Sequence, residues 1–320
     1  MSSVVGVDIG GTKVAAATLR DSELGESIME PTTLTSATEL VDQLIGLIES
    51  LRGDRLDAVG IGVPSVVEFE TGRVVSSVNI PLADLPLRQT MSERLGIPAF
   101  VDNDATVAAL AEAHDERMML VAQHLVMLTV GTGVGGGFVL GGRIYRGASG
   151  GAGEIGHTII GLDANADPPE PGDFPQSASL EYLASGQALD RLAARAAGRY
   201  PQSALGRLLA DGKPVLGADA VNASVDGDPL AAKMVATWAE RIGVGVANVI
   251  NTFSPQEVVI GGGAAQAGEL LLEPAKRIAQ GYVVPGLRNR TTIRLARWGV
   301  RAGVLGAALL AVHELESSGG

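Results

Sequence analysis

Two hydrophobic periods alternate along the first third of the chain. Val4–Asp8, Val14–Leu19 and Leu56–Val63 are short apolar runs of strand length, whereas Ala37–Leu51 repeats its apolar residues at helical spacing. Strands alternating with helices predict an α/β layer fold. A hairpin is expected over Val66–Phe69 and Val74–Ser77, turning at Glu70-Thr71-Gly72-Arg73. A helix follows over Leu87–Leu95, then a strand over Pro98–Val101 and an Ala-rich helix over Asn103–Glu116. Leu125–Val130 and the run ending at Leu140 read as strands, with Gly141-Gly142 turning the chain towards Ile144 and Tyr145. Arg143–Pro175 is rich in Gly and Pro and carries Asp163, Asp167, Glu170 and Asp173, so most of it reads as an irregular surface loop. Beyond it, Leu180–Leu183, Gly186–Ala197, Pro229–Val249, Leu270–Ala279 and Gly303–Glu316 read as helices. Val258–Ile260 and Thr291–Leu295 read as strands, and Ser317–Gly320 as a frayed tail.

The pattern is most informative where it breaks. The first apolar run stops at Asp8-Ile9-Gly10-Gly11-Thr12-Lys13 and resumes at Val14, which predicts a tight β-hairpin. An ordinary turn fits this sequence, but so does a phosphate cradle. Gly10 and Gly11 let backbone N–H groups approach an anion, Thr12 and Lys13 add a hydroxyl and a cation, and Asp8 can face a metal ion. The same break recurs at Val130-Gly131-Thr132-Gly133-Val134-Gly135-Gly136. Two such hairpins, each opening an α/β segment, predict duplicated domains with a nucleotide in the interdomain cleft. The expected boundaries are 1–118 and 119–302, with the helix at 303–316 packing back on the first domain.

Gly131-x-Gly133-x-x-Gly136 also matches a dinucleotide fingerprint. That motif must open a helix, whereas Gly137-Phe138-Val139-Leu140 continues as a strand, so a nicotinamide site is not expected. The chain has no P-loop sequence.

Composition narrows the function classes. With 320 residues, 46% hydrophobic, 43 glycines and 3% aromatics, the chain predicts a compact, turn-rich protein packed mainly with aliphatic side chains. A net charge of −12 argues against nucleic acid or an anionic membrane as partner. The absence of cysteine excludes disulfides and thiolate metal sites. No secretory signal or membrane-length apolar run is visible, and the expected location is cytoplasmic.

Further candidates stand at the ends of elements. Gly261, Gly262 and Gly263 follow a buried strand, where missing side chains allow either a flat adenosine or a close-packed turn. In Val101-Asp102-Asn103-Asp104-Ala105 either Asp can serve as a helix cap. Asp104 is also placed, at a strand end and in a first helical turn, to accept the proton of an attacking hydroxyl. Glu154 and His157 are three apart in Gly153-Glu154-Ile155-Gly156-His157, which suits polyol binding as well as local structure. Glu181 precedes the Ser185-Gly186 break and is a surface helix residue by default.

Taken in order, Asp8-x-Gly-Gly-Thr-Lys13, Gly60-x-Gly-Val-Pro64, Asn79-x-Pro, Asp102-Asn-Asp-Ala105, Thr129-x-Gly-Thr-Gly-x-Gly-Gly136, Gly153-Glu-Ile-Gly-His157, Leu180-Glu181 with Ser185-Gly186, and Gly261-Gly-Gly263 resemble the ROK family of bacterial sugar kinases, repressors and open reading frames. The resemblance spans nearly the whole chain. It implies duplicated ribonuclease-H-like domains of the actin-like ATPase type around an interdomain cleft. It also implies ATP-dependent phosphorylation of a hexose 6-hydroxyl, with glucose the expected sugar. N-acetylglucosamine, N-acetylmannosamine, mannose, fructose and allose stay open, as does polyphosphate as donor. A non-catalytic sugar-binding regulatory protein is the alternative from another class.

By position, the resemblance makes Asp104 the catalytic base and Asn79, Asn103, Asp104, Glu154, His157 and Glu181 the sugar-binding set. Gly10, Gly11, Thr12 and Lys13 with Gly131, Thr132 and Gly133 become phosphate hairpins, Asp8 the residue facing Mg²⁺ through water, and Gly261–Gly263 the adenosine segment. A homodimer or homotetramer is expected. Two departures matter. Family members usually carry a structural zinc site of the form Cys-x-Cys-Gly-x-x-Gly-Cys-x-Glu with the Gly-His histidine as fourth ligand, but Thr158–Leu180 here has no cysteine, so no zinc is expected. Family repressors carry a winged helix before the first hairpin; none is seen here, so DNA binding is not expected.

Overall fold

The computed structural model describes residues 2–77, 79–161, 172 and 174–318. Of the expected irregular loop, residues 162–171 and 173 lie outside the described residues, as do 319 and 320 of the expected tail. In chain order the elements are β1 (Ser3–Ile9), β2 (Lys13–Arg20), β3 (Glu23–Leu24), β4 (Ile28–Pro31), α1 (Ala37–Ser50), β5 (Ala58–Val63), β6 (Ser65–Glu68), β7 (Arg73–Ser77), α2 (Leu87–Leu95), β8 (Ala99–Asn103) and α3 (Asp104–Glu112). Then come β9 (His124–Val130), β10 (Val134–Leu140), β11 (Arg143–Ile144), α4 (Leu180–Ala184), α5 (Gly186–Arg199), α6 (Ala204–Ala210), α7 (Gly217–Val225), α8 (Pro229–Phe253), β12 (Glu257–Gly261), α9 (Glu269–Tyr282), β13 (Thr292–Leu295) and α10 (Ala302–Ser318).

The chain divides into two compact units. One comprises Met1–Met127, Gly137–Gly153 and Arg297–Gly320; the other comprises Leu128–Gly136 and Glu154–Ala296. In the first, a sheet runs in the order β3-β2-β1-β5-β8 with β4 added beside β2. β1 and β2 form the expected antiparallel hairpin, with Ile9 opposite Val14. β1, β5 and β8 are parallel, and their register sets Asp8 opposite Gly62 and Gly62 opposite Asp102. The carboxyl ends of three parallel strands are thereby brought level, where open α/β sheets place their ligands. β5 is buried at every position, which accounts for its unbroken apolar run. On one side Val5, Val7, Ile61 and Val63 join Leu40, Leu44 and Met91 in the main core, and α10 packs against β1, β5 and α3.

A second sheet has the order β11-β10-β9-β12-β13, and β12 and β13 are parallel. β10 follows the glycines as a strand, so the fingerprint lacks the helix a dinucleotide site needs. β6 and β7 pair antiparallel as expected.

Several local expectations differ from the structure. β4 is exposed at all four residues and carries no alternation to betray it. α3 ends at Glu112 instead of Glu116, because Asp115 accepts the N–H groups of Arg117 and Met119 and His114 bridges to Leu120. α6 and α7 occupy a stretch without a clear apolar period, each begun by a local cap: Ser203 accepts the Gly206 N–H, and Asp219 accepts the Leu216 N–H. Among the described residues no helix is long and apolar enough to cross a membrane.

Candidate active site

The first unit gathers Asp8, the Gly10–Lys13 hairpin, Asn79, Asn103 and Asp104. The turn is closed by a Gly10 N–H to Lys13 C=O bond of 2.9 Å, and neither Gly10 nor Gly11 is in the left-handed region. Thr32 braces it from beyond β4: its hydroxyl donates to the Gly10 carbonyl at 2.7 Å, and its N–H donates to the Thr12 carbonyl at 3.1 Å. Asn79 is exposed, and its Cβ would lie 3.4 Å from a Cβ built on Gly11, so it stands against the hairpin. A pocket of about 520 Å³ beside the turn is lined by Asp8, Gly10, Thr12, Lys13 and Arg301.

Asn103, and neither aspartate, caps α3. Its Oδ1 accepts the Thr106 N–H at 3.1 Å, and its Nδ2 donates to the Ser65 carbonyl at 3.3 Å. Asp102 is buried, accepting the Asn103 N–H at 2.9 Å and pairing with Arg146 at 2.7 Å. Burial pushes its carboxyl above the usual carboxylate range, against the pull of the Arg146 guanidinium. Asp104 stands in the first turn of α3, half-buried, with Oδ1 accepting the Ala105 N–H at 2.7 Å. A Cβ on Gly62 would meet Val107 Cγ2 at 2.9 Å, with Asp104 Cα at 3.6 Å and Asp8 Oδ1 at 3.8 Å, so both acids lie close to Gly62 at the strand ends. Burial first, then the Asp104 charge, pushes Asp8 up to about 7, while Lys13 pulls it down. A cation is the group that would relieve this repulsion, and the donors are hard oxygens suited to Mg²⁺.

The second unit gathers Gly131–Gly133, Glu154, His157, Glu181 and Gly261–Gly263. Glu181 sits on the hairpin itself. Its Oε2 accepts the Val134 N–H at 2.8 Å and lies 2.4 Å from where a Cβ on Gly133 would stand, so a side chain at that position would displace the carboxylate. Gly156 packs on the other side of the same residue, with its absent Cβ 2.1 Å from the Val134 carbonyl. Val134 thus joins the Glu181 carboxylate to the turn bearing Glu154 and His157. That turn is a single 3₁₀ turn, Ile155–His157, in which His157 Nε2 stands 3.6 Å from Glu154 Oε2. Both side chains are exposed, and the imidazole meets the Phe174 ring edge-on at 5.4 Å.

Gly262 has φ +77 and approaches the Val130 carbonyl so closely that a Cβ would lie 2.5 Å from it. A pocket of about 530 Å³ opens there, lined by Gly131, Thr132, Gly186, Gly217, Gly263 and Gln266 among others. The starts of α5 and α7 face into it together with the hairpin. The buried Trp238 indole donates to the Ala184 and Ser185 carbonyls at 2.9 and 3.0 Å, securing the α4–α5 break beside the pocket.

A family model described as the ROK family matches residues 4–314. The chain belongs to the ROK family. A glucokinase of Halalkalibacterium halodurans is 34% identical over 98% of this chain and 96% of its own length. A ROK hexokinase from Thermus thermophilus superposes with a TM-score of 0.77 at 34% identity, covering 98% of this chain and 99% of its own. A ROK family glucokinase from Streptomyces griseus, solved in complex with glucose and AMPPNP, gives a TM-score of 0.79 at 29% identity, covering 98% and 100%. These neighbours also carry the actin-like ATPase fold that the family resemblance implied.

This ROK chain adds residues that its motifs do not announce. Thr32 has no marker beyond a polar stretch after Pro31. Gly217 and the start of α7 were detectable only through the acidic residue at Asp219. Arg146 and its partner Asp102 lie 44 positions apart. Among the described residues no group of three or more His, Cys, Asp or Glu is placed to hold a metal ion.

Proposed function

We propose that this ROK protein transfers the γ-phosphoryl group of ATP to the 6-hydroxyl of a hexose, with glucose as the sugar. The observation that carries the reading is Asp104, a half-buried carboxylate at the end of a parallel strand, beside Asp8 and level with the first hairpin. A carboxylate so placed is suited to take the hydroxyl proton as the oxygen attacks phosphorus; the bond to the β-phosphate breaks and ADP leaves. Glucose is favoured by the glucokinase relative and by the glucose complex of the neighbour.

Each unit has a share in this reading. Gly10–Lys13 and Gly131–Gly133 serve the phosphates through N–H groups, the Thr12 hydroxyl and the Lys13 cation. Gly261–Gly263 and the pocket beside them serve the adenosine. Asn79, Asn103, Glu154, His157 and Glu181 orient the sugar. Asn103 caps its helix with one lone pair and uses one amide proton, which leaves the others for a hydroxyl. Glu181 gives Oε2 to Val134, which leaves Oε1. Asp8 would hold Mg²⁺ through water, and that cation would neutralise phosphate charge.

The test is ADP release across glucose, N-acetylglucosamine, N-acetylmannosamine, mannose, fructose and allose, with Mg²⁺ and with ATP or polyphosphate as donor. Glucose with ATP should give the highest kcat/KM, and Asp104→Asn should lower kcat by roughly 10²–10⁴-fold. No sugar-stimulated turnover with either donor would sink the kinase reading, and an undiminished Asp104→Asn variant would sink the assignment of the base.

A further inference from the structure

Asp102 immediately precedes the residues that the kinase reading places at the sugar and the base, yet it is 3% exposed and faces protein. Its Oδ1 accepts the Asn103 N–H at 2.9 Å, and its Oδ2 accepts from Arg146 Nε at 2.7 Å. Arg146 follows β11 and joins three further segments. Its Nη2 donates to Glu314 Oε1 on α10 at 3.2 Å, and its guanidinium lies 3.3 Å from the centroid of the Phe69 ring, just after β6. One side chain thus fastens the β8–α3 junction to the terminal helix and to the β6–β7 hairpin. The planar fork of arginine is what permits pairing, bridging and stacking at once; lysine offers one compact charge.

We infer that Arg146 is a positioning residue for the Asp104 base, acting through Asp102 and the Asn103 peptide. Without the guanidinium, the Asp102 carboxylate is a buried charge lacking its ion partner, and a buried charge that loses its partner forces local rearrangement. The group best able to move with it is the peptide whose N–H it binds, and that peptide leads directly into Asp104. Displacement of a catalytic group by about 1 Å is enough to lower turnover on the order of 10²-fold. This inference rests on the kinase reading.

The surroundings of Arg146 supply a specific test. Arg146 lines a groove of about 1020 Å³ with Phe69, Tyr145 and His313, and 20% of its side chain meets solvent. Truncation to alanine would leave a space that a small planar cation from solution can enter. The experiment compares wild type, Arg146→Ala, Arg146→Lys and Asp104→Asn in steady-state ADP release with glucose, with and without guanidinium at tens of millimolar, alongside thermal melting. Arg146→Ala should lose roughly 10²-fold in kcat with the KM for ATP nearly unchanged, and guanidinium should restore a large part of it. Arg146→Lys should lose about tenfold, keeping charge on Asp102 without the fork. Guanidinium should leave the lowered kcat of Asp104→Asn unchanged.

Retention of kcat within about twofold by Arg146→Ala overturns the inference. So does a loss that guanidinium fails to reverse and that follows the unfolded fraction. Should Arg146→Ala not fold, Arg146→Lys decides: wild-type kcat in that variant counts against the inference. A wild type without hexose-dependent ADP release rejects the kinase reading and this inference together, a result distinct from an active wild type with unaffected variants.

Discussion

Asp8 is held by opposing influences: burial and the Asp104 charge raise its pKa to about 7, and Lys13 acts against them. In the unfolded chain the same carboxyl ionises at its ordinary 3.8. Between these values the folded state holds a proton that the unfolded state has released. Its contribution to stability is therefore fully present below about 3.8 and is lost as pH rises through about 7. Asp8→Asn removes that titration, so its stability relative to wild type should rise between pH 4 and pH 8, as read by urea denaturation at the two values. Activity should run the other way. The ionised carboxylate is the form suited to a cation, so kcat/KM at limiting Mg²⁺ should fall on the acid side of about 7 in wild type. Saturating Mg²⁺ should move that inflection to lower pH. An inflection that stays put at every Mg²⁺ concentration would disconnect Asp8 from the cation. Asp102 teaches a related lesson, since the same letter read as a possible helix cap proves to be a buried ion-pair partner. Local spacing suits both roles, and only the approach of Arg146 distinguishes them.

At the scale of elements, the terminal helix α10 decides how closely the first unit packs. It crosses β5 so tightly that a Cβ on Gly60 would stand 1.7 Å from the Ala307 carbonyl oxygen. Backbone cannot yield as a side chain can, so Gly60→Ala should destabilise by about 3 kcal/mol or more. Gly46 is the contrast: it lies within α1, and a Cβ there would meet nothing within 4 Å. Gly46→Ala should stabilise by about 0.5–1 kcal/mol through helix propensity and reduced unfolded-state entropy. Thermal denaturation of the two variants checks both signs, and equal shifts would show that the α10 contact is not tight. β1 and β10 were legible because each is an apolar run ended by glycine, and β2 because its apolar run resumes just after the Gly10-Gly11 break. β4 and α7 were not: one is exposed throughout, and the other is built of small residues without a stripe. Neither pattern distinguishes itself from a loop until a neighbour supplies hydrogen bonds or burial.

For the whole molecule, ligand linkage gives the broadest check. A ligand that binds only the folded state adds about 2.7 kcal/mol of stability at 100 times its Kd. Glucose and a non-hydrolysable ATP analogue should therefore each raise the thermal transition, while a hexose that is not phosphorylated should leave it in place. Unchanged melting with both ligands would contradict the proposed substrates. The chemistry on offer is written locally in the chain: two glycine breaks between strands, an Asn-Asp pair at the start of a helix, an acid and an imidazole three residues apart, and the absence of thiolates. These are local signals, set by backbone conformation and short-range hydrogen bonding, and adjacent residues suffice to express them. Tertiary structure alone decided which distant residues touch. It set Glu181 on the Val134 N–H 47 positions away and Arg146 on Asp102, and it assigned Gly137–Gly153 to the first unit across an intervening segment of the second. Those contacts follow from strand register and helix packing, which depend on the chain as a whole and leave no period in the sequence.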